Sequence, residues 1–232
     1  MEPPEKAWQA TRQRIDEAAR TAGRTVGSVR LLAVSKTFSA DAVRAVHALG
    51  QRAFGENYVR EAQDKRAALG DLPGIAWHLI GSLQANKARA AAATFDCVET
   101  IDRPRIAERL SSARAGVPAP LDVLVQVNVS GEATKSGVAP SAALELARYV
   151  ATLPHLRLRG IMGIPEPTED GARLRAQFRA LRACFDECAR AGLAVDTLSM
   201  GMSDDLEVAI AEGATEVRVG RAIFGERARS VT

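Results

Sequence analysis

Asp122-Val123-Leu124-Val125-Gln126-Val127-Asn128-Val129 places valine at every odd position from 123 to 129 and Leu124, Gln126 and Asn128 between them. Successive side chains of a strand point to opposite faces. The valines therefore predict the face that meets covering helices, and the even residues point into an enclosed interior. Polar groups there are expensive without partners, which predicts that Asn128 lies near the open, ligand-binding end of a barrel. The same reading holds near both ends of the chain. In Val29-Arg30-Leu31-Leu32-Ala33-Val34-Ser35-Lys36, residues Leu32, Val34 and Lys36 share a face, so Lys36 tops an interior column. In Glu216-Val217-Arg218-Val219-Gly220, Val217 and Val219 face the helices. Arg218 then faces inward, where a buried guanidinium demands an acceptor from protein or ligand.

Outward from these segments the chain keeps one rhythm. A helix-like stretch over 5–22, with Trp8, Ile15 and Ala18–Ala19 among charged residues, comes first. Strand-like runs follow near 30–36, 52–56, 75–80, 95–99, 122–129, 157–163, 196–200 and 215–219. Helix-like runs lie between them near 40–49, 57–69, 84–93, 103–115, 140–151, 169–190 and 203–211, with a last one from about 222. Alternating βα units imply parallel strands covered by helices. Eight such units in 232 residues favour a closed TIM (β/α)8 barrel with an additional N-terminal helix over an open doubly wound sheet. No linker-like tract interrupts the chain, so 1–232 reads as a single domain.

Composition narrows the function classes. A hydrophobic content of 47% supports a sizeable core, and a net charge of +3 suits an anionic ligand without implying nucleic acid. Basic and acidic residues are interleaved, and aromatics make up 4%, so neither a basic stripe nor a stacking platform stands out. Cys97, Cys184 and Cys188 form no CxxC, and His47, His78 and His155 are scattered, which leaves no structural zinc pattern. The residues opening the chain do not read as a signal peptide, and no apolar stretch is long enough to span a bilayer. A cytoplasmic monomer is the expectation.

The chemistry starts at Lys36, one of five lysines among 31 basic residues. An amine can lose its proton and form an imine with an aldehyde, whereas a guanidinium cannot at ordinary pH. Alone, Lys36 reads first as a solvated residue at a strand end. Two loops change that reading. Residues 199–203, Ser-Met-Gly-Met-Ser, and 219–225, Val-Gly-Arg-Ala-Ile-Phe-Gly, follow strands seven and eight. Loops at these places in barrels commonly bind phosphate, which makes Ser199, Gly201, Gly220 and Arg221 candidate anion ligands. Ser203 reads as a helix N-cap, with Asp204 and Asp205 in the first turn. Barrel closure brings strand eight beside strand one, so the amine and the anion cradle share a rim. Pyridoxal 5'-phosphate (PLP) needs both features, as would the substrate of an imine-forming sugar-phosphate aldolase.

The motifs that carry these residues run almost end to end. They are Leu32-Ala33-Val34-Ser35-Lys36-Thr37, Phe54-Gly55-Glu56-Asn57-Tyr58 and Trp77-His78-Leu79-Ile80-Gly81-Ser82-Leu83-Gln84-Ala85-Asn86-Lys87. Val127-Asn128-Val129-Ser130-Gly131-Glu132, Lys135-Ser136-Gly137 and Arg159-Gly160-Ile161-Met162-Gly163-Ile164-Pro165 follow. The last are Leu198-Ser199-Met200-Gly201-Met202-Ser203-Asp204-Asp205 and Val217-Arg218-Val219-Gly220-Arg221-Ala222-Ile223-Phe224-Gly225. In set and order they resemble the pyridoxal phosphate homeostasis protein family, also called YggS/PROSC. The resemblance implies the barrel of the alanine racemase N-terminal domain, with Lys36 holding PLP as an internal imine. It implies that Ser199, Gly201, Gly220 and Arg221 lie at the phosphate and that Arg218 faces the pyridine nitrogen. Asn57, His78, Asn128 and Met162 match positions around the pocket. Position 221 carries threonine in enteric relatives, and position 82, here serine, is also familiar as histidine or proline.

The function that the resemblance implies is buffering or delivery of PLP, with apoenzymes that use it as candidate partners, and no catalytic residue or established turnover. Arg218 beside the ring nitrogen would leave that nitrogen unprotonated and carbanions poorly stabilised. A low-rate amino-acid racemase is the alternative, and it needs a second acid/base. Tyr58, Tyr149 and His78 are the candidates, each with a plain structural reading as helix start, helix packing and core hydrogen bond. Lys87 and Lys135 read as solvated, or as transient acceptors of cofactor.

Overall fold

The protein was analysed as a computed structural model that describes residues 4–132 and 135–225; the expectation for the opening residues falls outside them. Helix α1 (Pro4–Thr21) precedes eight βα units. These are β1 (Arg30–Val34) with α2 (Ala40–Ala48), β2 (Ala53–Glu56) with α3 (Val59–Ala68), and β3 (Ala76–Leu79) with α4 (Ala88–Thr94). Next come β4 (Cys97–Ile101) with α5 (Pro104–Arg114), β5 (Leu121–Val127) with α6 (Ala143–Ala151), and β6 (Leu156–Gly163) with α7 (Gly171–Arg190). Last are β7 (Thr197–Ser199) with α8 (Leu206–Ala211) and β8 (Glu216–Val219) with α9 (Arg221–Phe224). The strands are parallel and close in sequence order into a barrel, β8 pairing with β1.

Parity decides what each side chain meets. Val123, Val125 and Val127 pack in the layer between sheet and helices, as do Leu31, Ala33, Val217 and Val219. Leu124 and Gln126 are buried on the other face, inside the barrel. Local signals set the helix ends. Ser39 accepts from the Ala42 amide at 3.3 Å to cap α2, and Asp170 accepts from the Ala172 and Arg173 amides at 2.9 and 3.2 Å to cap α7. Helix α1 lies over α8 and α9, burying Ile15 and Ala19, and Arg14 pairs with Glu207 at 2.8 Å.

Most boundaries shift by one to four residues from expectation, and two of the shifts have a clear local cause. Strand β4 begins at Cys97 rather than 95, because Phe95 caps α4 inside the outer core and the Asp96 carboxylate accepts from the Trp77 amide at 2.9 Å. Helix α8 begins at Leu206, so Ser203 is not its cap. Asp205 stands at the N-cap position, but its carboxylate turns back to accept from the Met202 amide at 2.5 Å.

Candidate functional site

The C-terminal ends of the strands carry the expected residues. Lys36 follows β1 directly and is half-buried. Register pairs Leu32 with Arg218 and Ala33 with Val219, so the chain leaves β8 beside the end of β1. Gly220 sits there because a Cβ would stand 3.1 Å from the Val34 carbonyl oxygen. Lys36 Nζ donates to Asn57 Oδ1 at 3.4 Å, after β2. Asn57 reaches this place because Gly81 yields to it: a Cβ on Gly81 would lie 2.2 Å from the Asn57 carbonyl.

The backbone on both sides of Lys36 is pinned from below. Lys65 is buried, and its Nζ donates to the Ser35 carbonyl at 2.7 Å, Glu56 Oε1 at 2.7 Å and Glu61 Oε1 at 2.8 Å. Ser35 Oγ donates to Glu56 Oε1 at 2.6 Å, and the Thr37 amide donates to Glu61 Oε1 at 2.5 Å. Thr37 is held at φ 70°, a left-handed conformation that costs a non-glycine residue about 1–3 kcal/mol. Burial pushes the Glu56 carboxyl above its usual range, and the bonds from Lys65 and Ser35 oppose that push. Glu56, Glu61 and Lys65 were not legible as site residues. Each sits among ordinary charged residues, and only packing brings them under the turn that presents Lys36.

Inside the barrel a second chain of contacts runs from β3 to β8. His78 Nδ1 meets Glu99 Oε1 at 2.8 Å, and Ser199 Oγ donates to Glu99 Oε2 at 2.7 Å. Arg218 donates to Ser199 O at 2.7 Å, to Ser199 Oγ at 2.8 Å and to Gly163 O at 2.8 Å. The acceptors that Arg218 demanded are thus protein groups, and the one on Gly163 draws its guanidinium toward the C-terminal end. Met162, in register with Ser199, is fully buried. Burial alone would lower the His78 pKa, but the Cys97 sulfur, Glu99 and Glu216 carry it well above its ordinary value. Burial would raise Glu99, but His78 and Arg218 hold it below its ordinary value. Glu99 and Glu216 escaped notice in the sequence. The parity that turned Arg218 inward turns Glu216 inward too, and Glu99 could have been found the same way.

Three expected ligands sit differently from their simplest reading. Ser199 is fully buried inside the barrel, and its hydroxyl is engaged by Glu99 and Arg218 rather than raised to the rim, because β7 ends only at Ser199. The Arg221 side chain turns outward to pair with Asp204, leaving its backbone at the start of α9. Asn128 follows directly after β5, at the end of the strand where it was expected, but its side-chain amide folds the following loop. It donates to Glu132 O at 2.8 Å and accepts from Ser130 Oγ at 2.9 Å. Gly201 holds φ 95°, and its carbonyl accepts from the Arg218 amide at 2.9 Å. A cleft of about 590 Å³ opens beside Asn57, with Tyr58, Ser82 and Lys87 in its walls, and Tyr58 is 66% exposed. Lys135 pairs with Glu132 at 2.7 Å, and Tyr149 donates to Glu108 at 2.7 Å on the outer helices.

This arrangement has known counterparts. The family described as the alanine racemase N-terminal domain matches residues 8–228. The pyridoxal phosphate homeostasis protein of Pseudomonas aeruginosa is 57% identical over 215 residues, covering 92% of this chain and 91% of its own. The chain belongs to the pyridoxal phosphate homeostasis protein family. The Escherichia coli family member is 48% identical over 218 residues, covering 93% of each chain. Among solved structures, PipY of Synechococcus elongatus with PLP bound is 38% identical, with a TM-score of 0.80 over 91% of this chain and 100% of that one. The motifs quoted from the sequence are therefore those of a family member, and the fold is that of the alanine racemase N-terminal domain.

Proposed function

We propose that this chain binds PLP at the C-terminal rim, with Lys36 Nζ holding the cofactor's aldehyde as a lysine imine and water as the leaving product, and that it buffers or delivers the cofactor. One observation carries the reading: Lys36 leaves β1 beside Gly220 and above Arg218, at the seam where the barrel closes. The naming of the family's members and the PLP-bound PipY structure support it. PLP supplies an electrophilic aldehyde joined to an aromatic ring and an anchoring phosphate.

The chain's own groups fit those parts. The backbone near Gly201 and Gly220, with the first amides of α9, offers donors to a phosphate. Arg218, fixed by three acceptor contacts, presents positive charge from below. A ring nitrogen facing it would stay unprotonated, which would weaken the electron sink that amino-acid chemistry needs. Asn57 orients Lys36, Met162 and Ser199 close the floor, and His78 lies deeper with its proton shared with Glu99. Asn128 acts indirectly, by shaping the loop that carries Lys135. Arg221 contributes its backbone amide while its side chain stays with Asp204. Neither tyrosine is placed as a buried second base: Tyr58 is exposed, and Tyr149 is engaged on the outer helices. We read 1–232 as one such domain, acting as a cytoplasmic monomer whose partners are PLP and apoenzymes that take it up. Among the described residues no helix is long and apolar enough to cross a membrane.

The test is spectroscopic. The purified chain titrated with PLP develops a visible imine band, and borohydride reduction labels the peptide containing Lys36. Lys36→Ala abolishes both. A band of undiminished strength in that variant, or label on another lysine alone, overturns the assignment.

A further inference from the structure

Below the Arg218–Ser199 contacts, the barrel interior holds a second cluster of ionisable groups. His78 from β3, Glu99 from β4 and Glu216 from β8 each bring one ligand atom, and these atoms lie within 4.8 Å of one another. Glu216 is 2% exposed. One of its oxygens accepts from Arg30 Nε at 3.3 Å, while Oε1 is buried with no hydrogen-bond partner. A buried carboxylate oxygen left without a donor is costly, and buried polar atoms of this kind call for an explanation. Cys97, on the inward parity of β4 with Glu99, is buried beside His78. A cavity of about 250 Å³ opens at the N-terminal mouth, where Asp96 and Asp122 stand with Arg30 and Arg159, and reaches His78, Cys97 and Glu216. Sequence counting of cysteine and histidine alone could not find this group, because two of its three donors are carboxylates.

Two carboxylates and one imidazole would match the charge of one divalent cation, so the ion would bring no uncompensated charge into the interior.

We propose that His78, Glu99 and Glu216 form a buried site for a divalent first-row transition ion of the zinc class, entered from the N-terminal mouth. One imidazole nitrogen with two carboxylate oxygens suits such ions. Bonds of about 2.1 Å bring tetrahedral ligands to roughly 3.4 Å from one another, so the three atoms close in on the ion by rotation of their side chains. Cys97 neighbours the group through its interaction with His78. The proposal is independent of the PLP reading, since the Lys36 rim lies at the opposite end of the strands.

The test uses the full chain, stripped with a chelator and then dialysed against Zn²⁺ or Co²⁺. One ion binds per chain, and Co²⁺ gives a visible ligand-field band. Glu216→Gln weakens binding by about tenfold or more while the PLP band is retained. Cys97→Ser tests the sulfur through loss of any thiolate-to-cobalt absorption, and it keeps the assay informative if the Glu216 variant folds poorly. The proposal is overturned if the wild-type chain binds no stoichiometric ion. It is also overturned if folded Glu216→Gln binds as tightly, which assigns the ion to surface carboxylates. Loss of the PLP band in Lys36→Ala with metal binding intact separates this site from the cofactor site.

Discussion

The two ends of this barrel are built from different materials. At the N-terminal mouth, side-chain charges tie strands together. Arg159 bridges Asp122 at 2.8 Å and Asp196 at 2.5 Å, and Arg157 adds a second contact to Asp122 at 2.5 Å. Arg30 reaches across from β1 to Thr197 Oγ1 at 2.6 Å. At the C-terminal rim the strands end in backbone features instead: Thr37 at φ 70°, Gly201 at φ 95°, and Gly220 packed on Val34. Ion pairs line one mouth, whereas strained turns and small residues keep backbone donors available at the other. Binding at the C-terminal face and stability at the opposite face is the usual division in such barrels. The Lys65 cluster departs from that division, as a buried set of ion pairs beneath the rim.

That exception yields the largest expected effect. Lys65→Met leaves Glu56 and Glu61 buried or half-buried without their cation, and should cost about 3–5 kcal/mol in urea unfolding. It should also loosen the Lys36 turn, lowering PLP affinity in an absorbance titration run where the variant is still folded. Unchanged stability would mean that the rim does not depend on this cluster.

The interior network makes the second prediction, through pH. His78 has a folded pKa raised above its ordinary 6.5, so its stabilising contribution is complete below that value and is lost as pH rises through the raised one. Glu99 has a folded pKa below its ordinary 4.5, so its contribution is present above 4.5 and is lost as pH falls through the depressed one. Stability from the pair therefore peaks between the two folded pKa values. Unfolding free energies measured across pH should show the alkaline decline in the wild type and lose it in His78→Gln.

The N-terminal ion pairs should matter less. Asp122 is partly exposed, and Asp122→Asn is expected to cost about 1 kcal/mol, less at high salt, with the PLP band unaltered. A change in PLP affinity there would blur the division between the two mouths. The smallest effect is expected at Arg221. Its side chain faces Asp204, so Arg221→Ala should weaken PLP binding by no more than about threefold, the backbone amide being retained. A much larger loss would show that the guanidinium swings to the phosphate.

How much could be read in advance follows the range of each interaction. The valine alternation of β5 and the position of Lys36 after β1 are local patterns, and both were legible. So was the inward turn of Arg218, because parity needs only a strand. The start of α8 was misread because Ser203 has the chemistry of a cap, whereas the helix begins at Leu206 and the Asp205 carboxylate turns back to the Met202 amide, a choice set by the fold of the loop. Asn128 was placed at the correct strand end, but the use of its amide was set by a loop whose path periodicity does not encode.

Strand and helix order, the eight-unit barrel and the rim lysine are written in short-range hydrophobic periodicity and in motifs that survive without knowledge of neighbours. The partners of the charged interior are not. Glu99 and Ser199 stand 100 residues apart and meet only because β8 closes on β1. Desolvation inside that closed wall makes their pairing, and the unpartnered oxygen of Glu216, physically consequential.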